Sequence, residues 1–188
     1  MRSPGVSINA GHRWRSLTLF ELALGDWDAA YARFLAEVLP TATVSADALT
    51  DAPALLWRIA IAAPETVSLP WLPLARTASA CMPETTEPSV QLHHLLALAG
   101  VGDAKGIADW LHAGDPKKGP KRKAVVEQFA VAMRALAASA YHRAGGLLQA
   151  MLPELLLVGG SRAQGRLFGQ LAASTAWRLP VPRRCSGS

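Results

Sequence analysis

Residues 14–34 read WRSLTLFELALGDWDAAYARF. Trp14, Leu17, Phe20 or Glu21, and Leu24 recur at steps of three and four, the spacing of one face of a helix, and the pattern predicts a helix from His12 onward. Gly25 and Asp26 interrupt it. A second run follows with Trp27, Ala30, Tyr31, Phe34, Leu35 and Val38 on one face, and Pro40 is expected to end it. Two helices joined by a tight Gly-Asp corner form an antiparallel helical hairpin.

Working outward, the same grammar continues. Thr50 or Asp51 caps a helix that tolerates Pro53 in its first turn, buries Leu55, Leu56, Ile59 and Ala63, and stops at Pro64. Leu74 to Met82 reads as a short helix ended by Pro83. A further pair runs from Ser89 through Leu92, Leu95, Leu96 and Ala99 to Gly102, then from Ala104 to His112. Ala124 to Ala140 is rich in Ala and presents Val125, Phe129, Ala132, Met133 and Leu136 on one side. Tyr141 to Met151 is its partner, with Leu152 to Val158 read as helix end or short strand, and Ser161 to Leu179 as the last helix. Period-two alternation is missing from the pattern, so the expectation is an all-α chain built from pairs.

The pairs carry a repeat. A tetratricopeptide unit of roughly 34 residues wants Trp, Leu, a corner Gly, an aromatic, a small Ala and a large apolar residue at fixed places. Trp14, Leu17, Gly25, Trp27, Ala30 and Phe34 satisfy that spacing. Ala30 leaves room where the helices of a pair approach, and Trp27 and Phe34 fill the seam to the next pair. Thr18 stands where the unit prefers Gly or Ala. The pattern returns in weaker form. Gly102, Asp103, Ile107 and Leu111 repeat the corner and the seam; Tyr141, Ala144 and Leu148 repeat the steps of Trp27, Ala30 and Phe34, with Ser139 in place of the corner Gly. The predicted architecture is an α-solenoid of tetratricopeptide-like antiparallel helix pairs over residues 12–179. A lead-in at 1–11 precedes it, a basic loop at 114–123 interrupts it, and a disordered tail at 180–188 follows.

Several segments together resemble the C-terminal part of proteins similar to tetratricopeptide repeat protein 38. They are His12-Arg13-Trp14, Leu22 to Trp27, Asp51 to Arg58, His93 to Gly100, and Gly159-Gly160-Ser161-Arg162-Ala163-Gln164 followed by Phe168. They occur in the family's order over residues 12–172. The resemblance implies a helical solenoid with a binding surface and no settled chemistry. It also implies that the chain is a fragment lacking the family's N-terminal repeats. Ser16 and Glu21 stand where that family carries histidines, which removes any function that needs a histidine cluster there.

Composition narrows the function classes. Hydrophobic residues make up 51% of the 188, enough to exclude a disordered chain. Cys81 and Cys185 are too few for a disulfide framework or a thiolate zinc site, and they fit a reducing, cytoplasmic setting. The net charge of +5 is local. Lys117, Lys118, Lys121, Arg122 and Lys123 sit in one Gly/Pro stretch, and Arg178, Arg183 and Arg184 near the end. A nucleic-acid binder spreads its basic residues over a folded face, so no specific nucleic acid is expected. The longest nearly apolar stretch, Met151 to Gly160, contains Pro153 and Glu154 and falls short of the ~20 residues of a membrane span. The first ten residues do not read as a secretory signal.

Candidate sites are few. Gly159-x-Ser161-x-Ala163 imitates a nucleophile elbow, yet Ser161 to Gln164 has capping-box spacing and no His or Asp follows Ser161 in the chain. Gly160 and Ser161 also offer an anion site at a helix N-terminus. His93 and His94 are neighbours and point about 100° apart on a helix, so they cannot chelate one metal together. No metal, cofactor or acid–base pair is assigned. His12, Trp14, His93, Gly160, Ser161 and Gln164 are the residues most suited to a groove or ligand. Leu17, Gly25, Trp27, Ala30, Phe34, Tyr141, Ala144 and Leu148 are assigned to repeat packing. The expected function is a non-catalytic interaction module binding a protein segment or small ligand on a concave face. Two alternatives stand beside it: a small-molecule or enzymatic site using His12, His93 and the Gly160-Ser161 turn, and self-association through exposed repeat ends.

Overall fold

A computed structural model describes residues 8–43, 49–64, 66–113, 120–158 and 162–176. The described secondary structure is helical throughout. Helix α1 (Ile8–Ala23) pairs with α2 (Trp27–Arg33), which runs through a π-helical turn (Phe34–Val38) into α3 (Leu39–Ala42). Then come α4 (Ala52–Ala62), α5 (Trp71–Cys81), α6 (Pro88–Val101), α7 (Ala104–Ala113), α8 (Pro120–Ala137), α9 (Tyr141–Val158) and α10 (Arg162–Ala176).

Three corners between paired helices are built alike. Gly25, Gly102 and Ser139 take left-handed backbone at φ +80°, +79° and +60°. At each, that residue's N–H bonds the carbonyl three back: Gly25 to Leu22 at 3.1 Å, Gly102 to Ala99 at 3.1 Å, Ser139 to Leu136 at 2.9 Å. The next N–H reaches five back: Asp26 to Glu21 at 2.9 Å, Asp103 to Leu98 at 3.0 Å, Ala140 to Ala135 at 2.8 Å. This is the Schellman closure, which satisfies carbonyls a helix end leaves open. Asp26 and Asp103 then cap the following helices, accepting from the N–H groups of Ala29 at 3.1 Å and Gly106 at 2.8 Å. Ser139 pays a Cβ clash that the two glycines avoid. Ser139→Gly is expected to raise the unfolding free energy by about 0.5–1 kcal/mol in urea melts.

Prolines place several boundaries differently from expectation. Pro40 does not end the second run. The chain widens into a π turn just before it, which accommodates a residue that has no N–H to give, and α3 continues to Ala42. Pro153 lies inside α9, so Leu152 to Val158 is helix, not strand. Gln149, whose carbonyl loses its partner there, is exposed. At Pro64 the expectation holds: Ala63 is extended at φ −78° and ψ 153°, and α4 stops. Helix α1 begins at Ile8, four residues inside the stretch read as lead-in. Helix α8 begins at Pro120, so residues 120–123 of the basic stretch are its first turn, where proline is tolerated. The rest of that stretch and the tail lie outside the described residues.

Helix α6 is the centre. Every residue from Gln91 to Gly100 is buried, as expected of a helix apolar on all sides. Helices α4, α5, α7 and α8 pack against it. Trp57 and Trp71 meet with their rings tilted by 46° and 4.9 Å between centroids, and Trp57 Nε1 donates to the Leu96 carbonyl at 2.9 Å. A Cβ on Gly100 would stand 2.7 Å from Trp71 Cζ3 and nearer still to Cε3 and Cδ2. Gly100→Ala is therefore expected to destabilise by about 3 kcal/mol, the upper part of the overpacking range, measurable in the same melts. Helices α8, α9 and α10 form the other end, with Phe129 and Phe168 edge to face at 5.4 Å. Helix α10 also packs on α4, a contact between distant parts of the chain that a strictly linear stack lacks.

Of the residues assigned to repeat packing, Ala30, Phe34, Ala144 and Leu148 are fully buried, while Trp27 and Tyr141 are half-buried. Leu17 is a correction: it is 40% exposed. Thr18 is fully buried beside it, its hydroxyl donating to the Trp14 carbonyl at 2.9 Å.

Candidate functional site

Two features of α1 stand out, one on each side. On the inner side, charges pair across helices. Arg15 sends one η nitrogen to both carboxylate oxygens of Asp51, at 2.8 and 2.9 Å. Asp51 sits at the cap position of α4, yet its side chain makes no cap bond, because Arg15 holds it. Six residues further along α1, Glu21 receives Arg33 through Nε at 2.9 and 3.0 Å and through Nη2 at 2.5 Å. The Arg33 guanidinium also lies over the Trp14 ring, 5.7 Å from its centroid.

Arg58 and His93 complete the junction of α1, α4 and α6. Arg58 donates to the Ala54 carbonyl at 3.1 Å. Burial first, and the Arg15 charge second, lower its pKa to about 10, with Asp51 opposing them. His93 is almost fully buried, and its Nδ1 stands 2.7 Å from the Ser89 carbonyl oxygen. That carbonyl can only accept, so Nδ1 carries the proton in the neutral ring and Nε2 keeps its lone pair. Burial pushes the His93 pKa down; the Ser89 bond and Asp51 push it up, and Arg58 and Arg15 push it down. His94, one residue on, is fully buried and neither ring nitrogen has a hydrogen-bond partner. Burial, with His93 adding to it, drives its pKa down to about 4.

The outer side of α1 is the reverse. Ser16, Leu17, Phe20, Ala23 and Leu24 are all exposed and all uncharged. Phe20 is 61% and Leu24 69% exposed, high values for large apolar side chains. Among the described side chains of α1, the charged Arg15 and Glu21 turn toward neighbouring helices, and Leu17, Phe20 and Leu24 turn outward.

The sequence candidates fall in different places. His93 lies in the polar junction, too deeply buried to wall an open groove. Trp14 is half-buried beneath Arg33. His12 belongs to α1, one turn before Arg15. Its side chain lies outside the described residues, as do Gly160, Ser161 and the side chain of Gln164. Arg15, Asp51 and Arg58 were not singled out from the sequence as a site. A signal existed: Asp51 and Arg58 stand seven apart, two helical turns on one face. Among the described residues no three His, Cys, Asp or Glu side chains gather as a metal site requires, and no helix is long and apolar enough to cross a membrane.

No family model, no curated protein and no solved structure matches this chain.

Proposed function

We propose that this chain is a non-catalytic helical interaction module, a short curled stack of tetratricopeptide-like pairs that binds a protein segment. The family resemblance to tetratricopeptide repeat protein 38 belongs to the same proposal. The outer face of α1 is the observation that carries it. Isolated exposed apolar residues are ordinary, but Leu17, Phe20 and Leu24 side by side on one helix mark a contact surface. The three like-built corners support the repeat reading, since each ends one helix and starts the next with the same closure.

The test is affinity capture with the full chain as bait, wild type against Phe20→Glu. The variant should keep its helical circular dichroism and lose a defined protein partner. An unchanged partner set, with folding intact, overturns the reading.

The polar junction favours a second reading, a small anionic ligand. The Arg15 and Arg58 guanidinium groups lie near the single Asp51 carboxylate there, a cationic setting that suits a carboxylate or a phosphate, while His93, whose one N–H goes to the Ser89 carbonyl, offers no donor. Titration calorimetry with inorganic phosphate and acetate tests it. Saturable heat that Arg58→Met abolishes supports the site, and its absence removes it.

A further inference from the structure

Helix α1 is held to the rest of the chain in a different way from α6. Of its side chains from Trp14 to Ala23, only Thr18 is fully buried, and the Thr18 hydroxyl bonds the Trp14 carbonyl of the same helix. Leu19 and Leu22 are half-buried against the core. Beside these, polar groups tie α1 to its neighbours: Arg15 to Asp51, Glu21 to Arg33, and the Trp14 ring beneath the Arg33 guanidinium. Water competes for the first pair, whose side chains are 29% and 33% exposed. Ion pairs so exposed hold weakly.

The charges at the junction also favour release. Arg15 and Arg58 share the one Asp51 carboxylate, and the Arg15 charge acts against that of Arg58. When α1 moves away, Asp51 keeps Arg58, Arg15 gains water, and the repulsion between the two guanidinium groups disappears. Opening therefore loses one ion pair and relieves one unfavourable contact.

The Gly25 corner has the freedom of a hinge. Ala23 to Asp26 are exposed. A Cβ on Gly25 would meet no atom within 4 Å, whereas one on Gly102 would stand 3.6 Å from the Ala137 carbonyl oxygen. The first corner stands clear of the body and the second is packed onto it.

We infer that α1 is a lid on the polar junction: hinged at Gly25 and latched by Arg15–Asp51 and Glu21–Arg33, it opens as a unit while α4 to α10 stay folded. A helix of 16 residues is marginal by itself in water, so α1 melts as it leaves. Opening admits water and solutes to Asp51 and Arg58 from the α1 side. The inference takes its site from the anion reading of the junction and gives that site an entrance. One bound anion balances the second guanidinium and so favours the closed lid.

Thiol labelling of the full chain in a Cys81→Ser, Cys185→Ser background tests it. Thr18→Cys places a thiol on the buried side of α1, and Val126→Cys places one in the buried face of α8. At low urea Thr18→Cys should react with a disulfide reagent at least about a hundredfold faster than Val126→Cys, and with a shallow urea dependence. Val126→Cys should follow the full slope of the global melt. Adding Asp51→Asn should speed the labelling of Thr18→Cys by about fivefold. Asp109→Asn, which breaks the exposed Lys105–Asp109 pair of α7, should leave it unchanged. Equal rates and equal urea slopes at the two thiols overturn the inference, as does a Thr18→Cys rate that Asp51→Asn does not alter. If Thr18→Cys does not fold, hydrogen exchange of the unmodified chain decides the matter. Amides from Thr18 to Leu22 should then open with a much shallower urea slope than those from Leu92 to Val101, and equal slopes overturn the lid. Inorganic phosphate at matched ionic strength separates the lid from the ligand. Fast labelling that phosphate does not slow keeps the lid and removes the anion reading. Saturable phosphate heat from a chain whose two thiols label alike keeps the anion reading and removes the lid.

Discussion

Replacing Phe129 by Ala is expected to lower the unfolding free energy by about 4 kcal/mol, a large share of the stability of any domain this size. Phe129 is fully buried in α8, and its ring meets Phe168 of α10 edge to face. Truncation removes the transfer free energy of the ring and leaves a cavity. Close-packed neighbours such as Met133 and Leu136, themselves fully buried, can collapse into it only in part. The aromatic pair contributes about 1 kcal/mol beyond area, so the Phe129→Ala, Phe168→Ala double variant should fall short of additivity by about that much. Urea melts measure both. A shift of the midpoint at constant slope is the expected form. A loss below about 1 kcal/mol for Phe129→Ala would mean that α8 and α10 do not share a packed core. Phe20→Ala is the internal control: an exposed ring should change monomer stability by less than about 0.5 kcal/mol.

Acid sensitivity is the second large effect, and His94 is its source. The folded pKa of about 4 lies below the unfolded value of 6.5. Between those values the unfolded chain binds a proton that the folded chain refuses, so stability is intact above the unfolded pKa and falls as pH drops toward the folded one. The loss should be about 2 kcal/mol between pH 7 and 5, growing to about 3 kcal/mol near pH 4. His93 shifts in the same direction and adds to it. His94→Leu removes the titrating ring together with two buried nitrogens that lack partners. It should be at least as stable as the wild type at neutral pH and should flatten this part of the pH profile. A variant whose stability falls as steeply as the wild type's would place the proton uptake elsewhere.

How much of this was legible depends on whether the deciding interaction was local. The corners were. Gly25-Asp26 and Gly102-Asp103 spell a left-handed closure followed by a cap, and Ser139 occupies the same place in the third. Each is decided within six residues. The outer limits of α2 and α9 were not legible, because a π turn absorbs Pro40 and solvent exposure makes Pro153 tolerable, and neither shows in the proline itself. The orientation of α1 was misread for a different reason. Leu17, Leu19, Phe20, Leu22 and Leu24 offer two apolar stripes, so periodicity does not choose between them. The choice is made by Asp51, thirty-six residues beyond Arg15, and by Arg33 across the corner, both of which hold the charged side of α1 inward. Buried Thr18 then takes the place that Leu17 was expected to fill. The polar junction was hidden likewise. It joins residues from three helices whose proximity no local pattern states, although Arg58 and His93 lie within the segments that carry the family resemblance.

These observations converge on α6 as the helix around which the others are laid. Native-state hydrogen exchange reports that placement residue by residue. Amides from Leu92 to Val101 should exchange only through global unfolding, with the same urea dependence as the melt, while those of α7 open more readily. Protection of α6 no greater than that of α7, or opening of Leu92 to Val101 at a free energy well below global unfolding, would contradict the fold and the surfaces derived from it.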